Sequence, residues 1–336
     1  MKDNEVVVPA YSTRPAIPEE ASPSASREFR YQPSHWVPFR DLETIERVRR
    51  ITREQITQHP NPWVRIFVLK GSEIEFYWLL DMFRRIKQAA DEGRRLVLIM
   101  PNPYPGYRKL AAMLNQFKVD CRQLYVFSMD EYADEEGRIA PDTWPFGLVY
   151  AMKKYFFSEL DESIRPPERQ FVGLTNSNLR DYGRMIEDVG GADCCYSGPG
   201  WTGHLAFADP DAPEFQADSL EEWKQMGARI VTLSPFTIAQ QSLNGIFGMS
   251  GDLAAVPPKG ATIGPKEVLA ARFHLDLCAI TVHGTATSWQ RFITRLVIHG
   301  PVTPKVPESI LQTVRTDFWI SETNAQDIRI DWEKGY

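Results

Sequence analysis

No apolar run in these 336 residues is long enough to span a bilayer, and the opening segment MKDNEVVVPAYSTRPA lacks the apolar centre of a secretory signal. The expectation is a cytoplasmic protein with no membrane partner. Positive charge is also short. The chain carries 38 Lys and Arg against 44 Asp and Glu, a net charge of −6, and no basic stripe gathers in any segment, so nucleic acid is not an expected partner. Cysteine is scarce: there are four, two of them adjacent in an apolar segment (Cys194, Cys195), a pattern that fits buried reduced thiols better than a disulfide framework. The six histidines show no metal-ligand spacing, no motif suggests a nucleotide, and there is no internal repeat; neither metal nor cofactor is expected.

What is present is enough apolar material for a large core, 43% of the chain, in a length that implies one large α/β domain with additions or two small domains. Residues 1–33 are rich in Pro, Ser and Glu without an apolar period and read as an arm. Leu42, Ile45, Val48, Ile51 and Ile56 recur near helical spacing and predict an accessory helix over 39–59. From there strands and helices alternate. Strands are expected at 64–69, 95–100, 124–127, 192–196, 229–233, 275–283 and 313–320. Helices are expected at 72–90, from 105 or 106 to 117, at 142–157 with Asp142 in its first turn, from 177 or 178 to 189, at 237–242 and at 289–298. Ser72 and Glu75 have the spacing of a capping box. The alternation predicts βαβ units, a parallel layered sheet and right-handed crossovers. The divisions read as 1–62 for arm and helix, 63–322 for the α/β domain and 323–336 for a polar tail.

Two stretches carry chemistry. SGPGWTGHLAFADP at 197–210 follows an apolar strand with Gly198, Gly200 and Gly203, then His204, and Asp209 five residues on. Glycine there permits left-handed backbone or close approach, and an imidazole exchanges protons near neutral pH. QLYVFSMDEY at 123–132 ends a second apolar strand in adjacent carboxylates, Asp130 and Glu131. Ligands gather outside the carboxyl ends of strands in open α/β sheets, so the two edges are expected to face one crevice. The bland alternatives are a histidine satisfied by backbone on an ordinary strand-to-helix turn, and an aspartate that caps the following helix.

MDEY at 129–132, PDTWPF at 141–146 and GPGWTGHLAFADP at 198–210, in this order, resemble the glucosamine-6-phosphate deaminase family over roughly 64–322. The resemblance implies a three-layer Rossmann-like parallel sheet and a homo-oligomer. It also implies a cofactor-free enzyme that moves a proton between adjacent carbons of an amino sugar, its phosphate or a related aldose. Asp130 takes the position of the carbon-proton base, with Glu131 its neighbouring acid or a structural acceptor. His204 takes that of the ring-opening relay, and Thr202 and Asp209 fall where the family has Asp and Glu. Asn102, Tyr104, Gly106, Gly200, Trp201, Thr202 and Gly203 are the expected substrate contacts.

Departures from the pattern are as informative. The family's glycine-rich phosphate turn is replaced by Pro101-Asn102-Pro103-Tyr104-Pro105-Gly106, and three prolines remove three backbone donors. A family Lys falls at about Ala286 or Thr287 and a family Arg near Leu243. At about 1.5–3 kcal/mol per charge-assisted contact, these losses weaken phosphate binding by several kcal/mol. Either Arg108, Arg229, Arg272 or Arg291 supplies charge from another direction, or the substrate carries no phosphate. Tyr104, Tyr107, Trp144 and Trp201 would serve sugar stacking or simple packing. The 6-phosphogluconolactonases share the fold, but the segment Leu205-Ala206-Phe207-Ala208-Asp209-Pro210 favours the deaminase branch. A lactonase-type hydrolase and a non-catalytic sugar-binding homologue are the alternatives.

Overall fold

In the strand β2 (Leu96–Met100), Leu96, Leu98 and Met100 face one apolar cluster while Val97 and Ile99 face another, and all five side chains are buried. That two-residue alternation with both faces apolar is what a sheet covered by helices on each side requires. The computed structural model describes residues 31–281 and 287–331. Most of the 1–33 arm, the end of the 275–283 strand, position 286 of the expected Lys site and the last five tail residues lie outside the described residues. The chain divides into two units between Val37 and Pro38, and every strand and helix named here belongs to the second, Pro38–Tyr336.

The strands are β1 (Val64–Leu69), β2, β3 (Leu124–Ser128), β4 (Asp130–Ala133), β5 (Phe171–Val172), β6 (Cys194–Ser197), β7 (Arg229–Thr232), β8 (Lys259–Thr262), β9 (His274–Cys278) and β10 (Thr316–Ser321). Seven pair in parallel in the order β1-β10-β9-β6-β2-β3-β5. The helices are α1 (Leu42–Arg49), α2 (Gly71–Asp91), α3 (Tyr107–Gln116), α4 (Leu148–Tyr155), α5 (Tyr182–Asp188), α6 (Leu220–Lys224), α7 (Pro235–Ser242), α8 (Pro265–Leu269), α9 (Gln290–His299) and α10 (Glu322–Ala325). Trp78 and Met82 of α2, Leu110 and Leu114 of α3 and Met152 of α4 cover one face of the sheet. Ile186 of α5 and Ile293, Leu296 and Val297 of α9 cover the other, giving three layers. All four cysteines are buried and free, as the sequence predicts.

The second sheet was not legible in advance. β4, β8 and β7 form an antiparallel ladder, Asp130 opposite Thr262 and Arg229 opposite the same residue on its other side. β8 reads Lys-Gly-Ala-Thr, without a β-branched or alternating pattern, so its strand state comes from being sandwiched between two partners.

Several expected boundaries move. The Ser72–Glu75 capping box does not form, because α2 starts at Gly71 with Lys70 at its N-cap and Ser72 is already inside it. α1 stops at Arg49, and Ile56 is buried from a turn beyond it. The helix expected from Asp142 begins at Leu148: residues 141–147 are taken by successive turns, Trp144 N–H to Pro141 O and Gly147 N–H to Trp144 O, both 2.9 Å. Asp142 instead pairs with Lys153. Residues 307–313 wind as a 3-10 helix, so the last strand starts at Thr316.

Candidate active site

Because the large sheet is parallel, the carboxyl ends of β2, β3, β6 and β9 open on the same side, and the segments that leave them wall a cavity of about 330 Å³. Pro101 to Tyr104 come from the end of β2, Met129 and Asp130 from the junction of β3 and β4, Ser197, Gly198 and His204 from the end of β6 and the turn after it, and Leu277 and Ile280 from the end of β9. Gln240, Gln241, Leu243 and Asn244 close it from α7 and its exit. The two edges singled out in the sequence do share one crevice.

Asp130 is 8% exposed, and its Oδ1 is buried without a protein hydrogen-bond partner. Burial, then the neighbouring Glu131, pushes its carboxyl well above the ordinary range. Glu131 does not line the cavity. Its carboxylate accepts backbone N–H bonds from Tyr132 (2.8 Å), Leu148 (2.9 Å) and Val149 (2.7 Å), and so caps the N-terminus of α4. Burial against those three bonds leaves its carboxyl pushed up to about 7. Glu131 is thus a structural acceptor at the start of α4.

His204 lines the cavity at 5% exposure. Its Nδ1 lies 3.2 Å from Asp209 Oδ1 and 3.0 Å from Thr237 Oγ1. The Thr237 hydroxyl donates to Asp209 at 2.8 Å, so Nδ1 is the donor in this network and Nε2 is the ring nitrogen free of it. Asp209 also accepts from Thr202 Oγ1 (3.2 Å) and the Ser234 N–H (3.1 Å). Burial opposes its ionisation, yet the bonds from His204, Thr237 and Ser234 hold its carboxyl below the ordinary value. Thr202, in the position of a family Asp, therefore acts on Asp209, and Asp209 supports His204.

The glycines serve packing. A Cβ at Gly200 would stand 1.9 Å from His204 Nε2, and one at Gly203, where φ is +75°, would press on Val306 and Ile293. Neither lines the cavity, nor do Trp201, Thr202 or Gly106; Gly106 makes room for the Tyr104 ring, which a Cβ would meet at 2.5 Å. Trp201 is instead stacked on the cavity residue Trp289, ring centroids 5.6 Å apart. Asn102 and Tyr104 do line it. Tyr107 and Trp144 are packing residues: the first is fully buried beside Trp78, Tyr104 and Phe156, the second lies against Tyr132 and Phe146.

Sequence reasoning missed Thr237, Ser234, Gln240, Gln241, Asn244, Trp78 and Trp289. Only Ser234 carried a signal, an N-cap serine followed by Pro235, and it marks a helix start rather than a site. Among the described residues no Lys or Arg lines the cavity. The four arginines considered as substitutes are engaged elsewhere. Arg108 bonds Glu159, Arg229 the carbonyls of Gly227 and Glu214, Arg272 Asp193 and Arg291 the Thr323 carbonyl. No group of three or more His, Cys, Asp or Glu among the described residues is arranged to hold a metal ion.

Trp78 Nε1, Asn102 Oδ1, Asp130 Oδ1 and Trp289 Nε1 are buried without a hydrogen-bond partner, and all four belong to residues that line this cavity. Unsatisfied buried polar groups are costly, and their gathering in residues around one cavity makes it the candidate site. A pH dependence follows. An acid whose folded pKa is raised holds more protons folded than unfolded, so the native chain should lose stability relative to an Asp130→Asn protein as pH rises from the ordinary carboxylate range toward neutrality. Thermal unfolding of both across that range checks it; a constant difference would contradict the buried-acid assignment.

No protein-family model matches the chain. It is 30% identical over 195 residues to a glucosamine-6-phosphate deaminase of Caenorhabditis elegans, spanning 56% of this chain and 65% of that one. It is 29% identical over 241 residues to that of Lachnoclostridium phytofermentans, spanning 67% and 89%. The fold is similar to the solved structure of a monomeric glucosamine-6-phosphate deaminase (TM-score 0.62, 18% identity, 78% of this chain and 98% of that). It is also similar to a 6-phosphogluconolactonase of Trypanosoma cruzi (TM-score 0.54, 13% identity, 80% and 97%).

Proposed function

We propose that this chain is a divergent member of the glucosamine-6-phosphate deaminase family and a cofactor-free sugar isomerase or deaminase, with Asp130 as its carbon-proton base and His204 as its ring-opening relay. The observation that carries the reading is the unpartnered Asp130 Oδ1 in a cavity also lined by His204, whose other ring nitrogen is tied to Asp209.

His204 Nε2 takes the proton of the anomeric hydroxyl as the ring C–O bond breaks, and the ring oxygen is protonated in return. In the open chain, ionised Asp130 removes the proton from the carbon next to the carbonyl. The electron pair moves into an enediol-type intermediate, the carbonyl oxygen gains a proton as the oxygen or nitrogen on the adjacent carbon gives one up, and the same carboxyl returns the carbon-bound proton to the former carbonyl carbon. With an amino sugar the resulting imine adds water and releases ammonia. A carboxyl with a raised pKa suits both halves, since it must accept a proton and give it back. Asp209, held ionised, stabilises the imidazolium that forms while His204 carries its proton.

The test is NMR in deuterated water with glucosamine, glucosamine 6-phosphate and a panel of free and acidic sugars. Exchange at the carbon next to the carbonyl is expected with at least one of them. Saturable binding without exchange by any sugar would overturn the reading, and hydrolysis of a sugar lactone without exchange would establish the lactonase alternative.

A further inference from the structure

The N-terminus of a helix that follows a parallel strand is the ordinary place for a ligand phosphate, because its free N–H groups and dipole converge there. In this protein that place, the start of α3 behind β2, has few donors to offer. The N–H groups of Tyr107, Arg108 and Lys109 are already bonded to the carbonyls of Tyr104, Pro105 and Gly106 at 3.2, 3.3 and 2.9 Å. Pro101, Pro103 and Pro105 have none to offer.

The protein's own anion stands there instead. The Glu75 carboxylate, reaching across from α2, accepts the Tyr104 hydroxyl at 2.8 Å and Lys109 Nζ at 2.5 Å. A Cβ placed on Gly106, the N-cap of α3, would be 2.9 Å from Glu75 Oε1. Burial works against its charge, but the Lys109 and Tyr104 bonds prevail and hold its carboxyl below the ordinary value.

The cavity beside it asks for neutral polar groups. Asn102 Nδ2 reaches the Met100 carbonyl at 3.4 Å, which turns Oδ1 into the amide's unpartnered end. That acceptor calls for O–H or N–H donors, which a phosphate dianion lacks. The indole N–H groups of Trp78 and Trp289 call for acceptors. Hydroxyl groups serve both, and the aromatic faces of Trp78, Tyr104 and Trp289 suit the apolar side of a sugar. In the turn after β6 two donors are engaged as well: the Trp201 N–H goes to Gln240 Oε1 at 2.7 Å and the Gly203 N–H to the Gly200 carbonyl at 3.0 Å.

We propose that the crevice takes an unphosphorylated sugar, and that Glu75 is the specificity determinant that excludes the 6-phosphate by holding the start of α3 with a carboxylate. The inference rests on reading the crevice as a sugar site, and it names which sugars.

The experiment is calorimetric titration of the full chain carrying Asp130→Asn, which slows turnover. The probes are glucosamine, N-acetylglucosamine and glucose, each beside its 6-phosphate, with inorganic phosphate as competitor. At least one free sugar is expected to bind about tenfold more tightly than its 6-phosphate, and inorganic phosphate is expected not to compete. Adding Glu75→Gln should raise the affinity for the 6-phosphate about three- to tenfold while changing that for the free sugar less than about twofold. Tighter binding of the 6-phosphates to the Asp130→Asn chain, a selectivity unmoved by Glu75→Gln, or no binding by any free sugar would each overturn the proposal. Free-sugar preference in a protein whose native form exchanges no carbon-bound proton would leave it standing and overturn the isomerase reading instead.

Discussion

Asp130→Asn is expected to slow exchange of the carbon-bound proton by about two to four orders of magnitude, the usual contribution of a positioned general base. The amide matches the carboxyl in shape but cannot hold the transferred proton. The fold should survive the change for a specific reason. Asp130 Oδ1 bonds to nothing in the protein, so no partner is stranded, and a buried acid with a raised pKa is removed. The far-ultraviolet dichroism and unfolding midpoint should therefore match or exceed those of the native chain at pH 7. A fall in midpoint of several degrees would show that Asp130 is structural. Exchange within about threefold of native would remove it from the chemistry.

Asp209→Ala should be the most damaging single substitution to stability near the crevice. The carboxylate is 3% exposed and receives Thr237, Thr202, His204 and the Ser234 N–H. Its loss strands a backbone N–H and frees two hydroxyls and an imidazole in a buried space, at a cost of about 2–4 kcal/mol. Urea unfolding reads that cost directly, and Asp209→Asn, which keeps one acceptor oxygen, should fall between the two. Activity is expected to fall through kcat, because His204 loses the partner that fixes its tautomer and steadies its charge. A stability loss below about 0.5 kcal/mol would mean that the network is not the support the distances describe. Asp209 contributes stability above the ordinary carboxylate range and loses it as pH falls through its lowered folded value, so the gap between native and Asp209→Ala should narrow in acid.

Much of the fold was readable because its signals are local. β1 runs over the residues its apolar run predicts, and β2, β3, α3 and α9 lie within a residue or two of their predicted bounds. A strand buried on both faces and a helix with one apolar stripe each write their period into consecutive residues. The errors fall where a local signal is outbid by a distant group. Ser72 and Glu75 are spaced as a capping box, but Glu75 is drawn to Tyr104 and Lys109, 29 and 34 residues on. Asp142 is placed like a first-turn acid, but Glu131 supplies the anion at α4 from a strand of the other sheet.

The sequence by itself determined that Asp130 and His204 stand at strand ends of a parallel sheet, and that the turn after β2 has few donors. Both are properties of neighbouring residues: an apolar run stops at a charge, and a proline has no N–H. Tertiary structure alone decided which partners those residues keep. Thr237 reaches Asp209 from 28 residues away, Trp78 and Trp289 bring unpartnered indoles to the same wall, and Glu75 occupies the start of a helix it does not belong to. None of these has a period or a spacing to reveal it, because contacts between distant segments depend on how sheets and helices pack and leave no mark on the residues beside them.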